Sequence, residues 1–321
     1  MATVLPKREF VATDAKREKV PLLVGLMGPS GGGKTFTALR LATGIQSVSG
    51  GDIYFIDTES RRALHYADKF KFKHVPLDAP FGSLDYLAAL QWCVSKGAGV
   101  VVVDSMSHEH EGPGGMIDLQ DQILTRMAGD NYGKRQAMQM LAWAEPKAKR
   151  RALINGILQL NSNFIFCFRA KNTSKPVKNP DTGKNEVVPQ GFMPIAGDEF
   201  VFEQTLNALL LPGAGGVPTW QSDAVGERTM IKLPEQFAAL RQRTAPLDEK
   251  VGERLAKWAA GEPTATKPVE RTFQANDSSE GAEWREGADT SRNDGTLSDD
   301  NSTAAEGRTD ADHSDQHDAT A

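Results

Sequence analysis

Cysteine is nearly absent from this chain, with only Cys93 and Cys167 among 321 residues. Both sit in apolar surroundings and no metal-type spacing joins them, which points to core thiols in a reducing compartment. Long apolar runs are missing too. No segment approaches the roughly eighteen residues needed to cross a bilayer, and the charged start lacks a secretion pattern. The expected setting is the cytoplasm, with no membrane partner. There is no internal repeat. Aliphatic residues almost vanish from Glu262 onward, where Asp, Glu, Ser, Thr, Ala and Gly dominate. That stretch carries fifteen acidic and five basic side chains, a net of −10, so the rest of the chain holds +5 against −5 for the whole. A near-neutral balance therefore conceals a basic body and an acidic tail expected to be disordered.

What is present is an alternation of strand and helix signals. Residues 1–19 read as a polar arm whose one apolar spot is Phe10-Val11. Apolar runs at 21–27, 52–57, 99–104 and 163–168 have the length and β-branched content of buried strands. Helical spacing appears at 35–45, 62–70, 83–96, 116–128 and 134–144, then from Pro146 to about 160. Such alternation predicts an α/β fold with a mainly parallel central sheet covered by helices on both faces. A polar stretch with lysines and prolines, 171–191, reads as a long loop. Strands at 205–211 and 228–233 and helices at 235–242 and 247–260 complete the folded part. The division is an arm at 1–19, a core at 20–243, a closing helix at 244–261 and the tail at 262–321.

One motif carries chemistry. Gly28-Pro29-Ser30-Gly31-Gly32-Gly33-Lys34-Thr35 fits G-x-x-x-x-G-K-[ST] at every fixed position, between the first strand and the first helix. At such a turn unpaired backbone N–H groups converge on an anion. The glycines let the chain curl, Lys34 can reach the β- and γ-phosphates, and the Thr35 hydroxyl can ligate Mg²⁺. Asp104 ends a strand of four valines, where a carboxylate serves either the metal's water shell or a helix cap, a role Ser105 or Ser107 could fill equally. Hydrolysis needs a group that orients water, and two carboxylates follow strand ends: Glu59 and Glu109. His108 and His110 lack the third ligand of a structural zinc site. The Asn-Lys-x-Asp guanine signature is missing, which favours ATP.

The ordered set resembles the RecA-like ATPases: a phosphate loop, a strand ending in hydrophobic-Asp-x-Glu and a strand ending Val-Val-Asp-Ser. More narrowly the chain is similar to phage and prophage RecA-like proteins of the AAA type, close to a group proposed to anneal or recombine single-stranded DNA. GPSGGGKT, IDTESRR, VVVDSMSHEHEGPGG, the tryptophan helix around Trp143, FCFRAK and GDEFVFEQ carry the resemblance, over about residues 20–235. It implies that Glu59 activates the attacking water, which leaves Glu109 as the alternative from the strand-end reading, and that Arg169 stands at the γ-phosphate-sensing position where RecA has glutamine. It also implies a DNA-contacting loop with Lys171, Lys175, Lys178 and Lys184, and a basic residue supplied in trans by a ring or filament, Arg228 or Lys232. The expected partners are single-stranded DNA, further copies of the chain and a phage single-strand-binding or replication protein, with ATP and Mg²⁺ as cofactors in a bacterial host cytoplasm. A different class is a nucleotide-gated switch or loader working through a protein partner; a small P-loop kinase fits less well, because no Arg-rich lid is apparent.

Overall fold

Alternating side chains sort the strands onto two faces of one sheet. The structure, a computed structural model, describes residues 10–178 and 183–262, so the first nine residues of the arm and the acidic tail beyond 262 lie outside the described residues. The first half runs β1 (Leu23–Gly28), α1 (Lys34–Ser49), β2 (Asp52–Asp57), a 3-10 turn at Arg62–Tyr66, β3 (Lys73–Pro76), α2 (Ser83–Ser95) and β4 (Ala98–Asp104). Then come α3 (His108–Glu111), α4 (Met116–Ala128), α5 (Tyr132–Ala142), α6 (Ala144–Leu158), β5 (Asn163–Lys178) and β6 (Asn185–Pro194). The described part ends with α7 (Asp198–Phe202), β7 (Leu206–Leu209), α8 (Val225–Met230), a 3-10 helix at Glu235–Gln242 and α9 (Glu249–Ala259).

The strand order is β3-β2-β4-β5-β1-β7, and all neighbours on that path run parallel. One face carries Val24, Leu26, Ile53, Phe55, Val100, Val102, Ile165 and Cys167 against α1 and α9. The other carries Met27, Tyr54, Ile56, Val101, Val103, Phe164, Phe166 and Phe168 against α2, α6 and α7. This is the expected α/β architecture with helices on both faces. Both cysteines are buried, and burial raises the Cys93 thiol to about 12. No helix among the described residues is long and apolar enough to cross a membrane.

Three expectations are corrected. The stretch 171–191 is not a loop where it is described: β5 continues to Lys178 and pairs antiparallel with β6, from Ala170 opposite Pro194 to Lys178 opposite Asn185, with a register shift between Thr173 and Ser174. Thr173, Val177, Val187 and Val188 supply the β-branched content, and a two-stranded ribbon consists only of edges, where strands tolerate proline. Residues 179–182 lie outside the described residues. Where a strand was expected at 228–233, α8 runs to Met230 and, of the three residues after it, Lys232 makes an isolated antiparallel bridge to Asn207. The helix expected at 62–70 shrinks to the turn Arg62–Tyr66, and Lys73–Pro76 behind it forms an edge strand too short to register as a pattern.

Candidate functional site

At the carboxyl ends of β1, β2, β4 and β5 lies a crevice of about 630 Å³, lined by the glycine loop and by Asp57, Glu59, Arg62, Asp104, Glu111 and Arg169. Its floor is the turn from Gly28 to Lys34. Gly33 caps α1 in the left-handed region at φ 88°, and no side chain takes the helix's first N–H groups, which therefore remain for an anion. At Gly32 a side chain is also impossible for lack of room, since a Cβ would stand 2.4 Å from the Leu210 carbonyl oxygen. The chain after β7 backs this loop directly: Leu210 N–H donates to Met27 O and Gly216 N–H to Gly32 O. Lys34 Nζ lies 2.8 Å from both Gly28 O and Pro29 O. Burial pulls its pKa down, while the nearby carboxylates of Asp104 and Glu59 work against that.

Thr35 Oγ1 donates to Asp104 Oδ2 at 2.5 Å, so hydroxyl and carboxylate converge at the mouth of the loop. Both are hard oxygen donors, and the pair fits Mg²⁺, which is bound through few protein oxygens and keeps its waters. Burial raises the Asp104 pKa to about 6, against the pull of the Thr35 hydrogen bond.

Glu59 faces the same crevice. Its Oε1 accepts from Arg169 Nε at 2.8 Å and pairs with Arg169 Nη2 at 2.6 Å, and Arg62 Nη1 stands 3.4 Å from Oε2. Glu109, the alternative base, does not reach the crevice. It is 3% exposed on α3 and bound to Arg150 Nη2 at 2.5 Å, with the Ser83 hydroxyl at 2.6 Å. Helical geometry turns the first residues of α3 inward, and the carboxylate that emerges on the crevice side is Glu111. Arg150, inside the basic run 147–151, is its buried partner rather than surface charge. His108 and His110 diverge: His108 Nδ1 meets Thr58 Oγ1 at 2.8 Å, and His110 Nδ1 meets Arg150 Nη2 at 2.9 Å. Burial, the largest influence on each ring, lowers both pKa values, and the arginine beside each ring acts in the same direction.

Lys171, Lys175, Lys178 and Lys184 are exposed along the hairpin whose base, at Ala170 and Ile195, forms part of the crevice wall. Arg228 is exposed on α8, whereas Lys232 Nζ donates to Phe202 O at 3.0 Å. Sequence reasoning passed over Asp57, Glu111, Phe36, Tyr66 and Ile195. Asp57 and Glu111 stood inside motifs already singled out, as neighbours of the residue that drew attention. Ile195 carried no signal, because only the hairpin brings it to the crevice.

A family model described as an AAA domain matches residues 21–192. Among solved structures, a KaiC-like protein from the hyperthermophilic archaeon Pyrococcus horikoshii OT3 is similar at 15% identity and a TM-score of 0.26, over 56% of this chain and 88% of that one. No curated protein matches the chain.

Proposed function

The chain belongs to the AAA-domain family and carries a P-loop ATPase domain; from that premise we propose that it is an Mg²⁺-dependent ATPase whose turnover is coupled to single-stranded DNA. One observation carries the coupling. β5 is a single strand that holds Arg169 against Glu59 in the crevice and continues into the hairpin bearing Lys171, Lys175 and Lys178. Bound Mg²⁺ would offset the negative charge of the phosphates. The loop amides of Gly31 to Lys34 hold the β- and γ-phosphates, and Lys34 exchanges its two carbonyl partners for phosphate oxygen. Thr35 and Asp104 hold the metal side. Glu59 orients and deprotonates water, for which its carboxylate must lose Arg169; a γ-phosphate, more negative than one carboxylate, draws the guanidinium away.

Lysines without aromatic neighbours suit a phosphate backbone read without regard to sequence. They support binding to single-stranded DNA in phage recombination, annealing or replication. Assembly into a ring or filament would let a basic residue of a neighbouring copy reach the γ-phosphate. Of the two candidates Arg228 is the better placed, because Lys232 already serves a backbone carbonyl. A second reading, a nucleotide-gated loader acting through a protein such as a phage single-strand-binding or replication protein, uses the same hairpin as a docking arm; the exposed Val177 and Val187 favour it.

Fluorescence anisotropy with labelled oligonucleotides, with and without Mg²⁺-ATP at two salt concentrations, separates these readings. Salt-sensitive, nucleotide-dependent binding and DNA-stimulated hydrolysis are expected, both lost when Lys171, Lys175 and Lys178 become Ala. Hydrolysis indifferent to DNA, with no binding at low salt, refutes the DNA role. Lys34→Ala should lose nucleotide binding, and Glu59→Gln should keep it without turnover.

A further inference from the structure

Asp57 is a buried carboxylate, 1% exposed, that the mechanism above does not use. It ends β2 between Asp104 on β4 and Pro76 on β3. Its Oδ1 accepts from the Glu59 N–H at 2.8 Å, and its Oδ2 accepts from the Ala63 N–H at 3.1 Å. His74 Nε2, from edge strand β3, lies 3.1 Å from the same Oδ2. Three protein donors thus engage the two oxygens. Between the two clamped amides the chain passes through Ser60 at φ 57° and Arg61 at φ 66°. Two successive non-glycine residues in the left-handed region are strained and persist only where the surroundings impose them.

We propose that Asp57 is a positioning residue that aims Glu59 into the crevice, with His74 as its anchor on the sheet edge. The inference rests on Glu59 being the water-orienting base. Only a carboxylate accepts at both ends of this turn; an amide would present an NH₂ group to one of the two N–H donors. With the clamp closed, the backbone of Glu59, which carries the working carboxylate, is held at its own N–H. With it open, the strained turn relaxes and carries the Glu59 side chain away, and a displacement of about 1 Å at a reacting group costs about 10²-fold in rate.

The test compares D57N, H74A, H74Q and E59Q in the full-length protein. Amide hydrogen exchange of the nucleotide-free protein is read over residues 58–64, together with kcat and the Kd for a fluorescent ATP analogue. D57N should speed exchange of the Glu59 and Ala63 amides about tenfold or more while the rest of β2 keeps its protection. It should lower kcat by about 10²-fold and leave the nucleotide Kd within about twofold. H74A should act in the same direction more weakly, H74Q should restore wild-type values, and D57N with H74A should be no worse than D57N alone. Unchanged exchange at 59 and 63, effects that multiply in the double variant, or kcat and Kd falling together with loss of melting temperature each overturn the inference. If D57N does not fold, the H74A and H74Q pair decides alone. E59Q hydrolysing normally would instead refute the role of Glu59, whereas an inactive E59Q beside a fully active D57N refutes only the positioning.

Discussion

Replacing Asp104 by Asn should stabilise the nucleotide-free protein while abolishing hydrolysis. Burial raises this carboxyl from 3.8 to about 6. An acid raised in this way binds its proton more tightly folded than unfolded. Its contribution to stability is therefore whole below about pH 4, falls as pH climbs, and is gone above about pH 6. A displacement of about two pH units, at 1.36 kcal/mol per unit, makes the ionised Asp104 cost about 3 kcal/mol at pH 7. Asn keeps an acceptor for the Thr35 hydroxyl and carries no charge. The stability gap between D104N and wild type should grow from near zero at pH 4 to about 3 kcal/mol at pH 7. For a folded part of this size that is about 6–12 °C in Tm. Urea unfolding at pH 4, 5.5 and 7, in EDTA, measures it. Adding Mg²⁺ and ATP should close the gap by stabilising wild type alone. A gap independent of pH, or a D104N protein that melts lower at pH 7, refutes the reasoning.

Two further outcomes follow from packing. R150A, which leaves the buried Glu109 without its ion-pair partner and with only the Ser83 hydroxyl, should cost about 3–5 kcal/mol in chemical denaturation, while E109Q should lower stability yet retain turnover per folded molecule. Gly44→Ala on α1 should destabilise by about 1–3 kcal/mol despite the better helix propensity of alanine, because its Cβ would stand 1.9 Å from the Glu249 carbonyl oxygen where α9 crosses; a melting temperature at or above wild type contradicts it.

The central strands β1, β2, β4 and β5 were legible because their apolar runs are buried on both faces, and the glycine loop because its spacing is a direct requirement of backbone geometry. What escaped depends on long-range pairing. The described hairpin residues 171–178 and 185–189 are mostly polar because both faces of a two-stranded ribbon meet water, so strand and loop look alike there. Arg150 lies within the basic run 147–151, yet Pro146, Arg150, Leu153, Ile154 and Ile157 share the buried stripe of α6, a spacing visible in the sequence. Glu109 and Glu111 exchange places for a similar reason. A reading of His108–Glu111 as extended loop cannot say which carboxylate turns inward, whereas one helical turn decides it. Asp57 was passed over because sequence ranks a residue by type and position, and its importance lies in which amides it touches.

β5 has a mechanical consequence. From Arg169 to Lys178 the strand reaches about 30 Å at roughly 3.3 Å per residue. Pivoted at the crevice wall, such a rod moves its far end by about 2.6 Å for each 5° of tilt. A tilt at Arg169 would thus be largest at Lys178 and smallest at Lys171, and the geometry works equally in reverse. A load on the hairpin would be felt at Arg169 as torque.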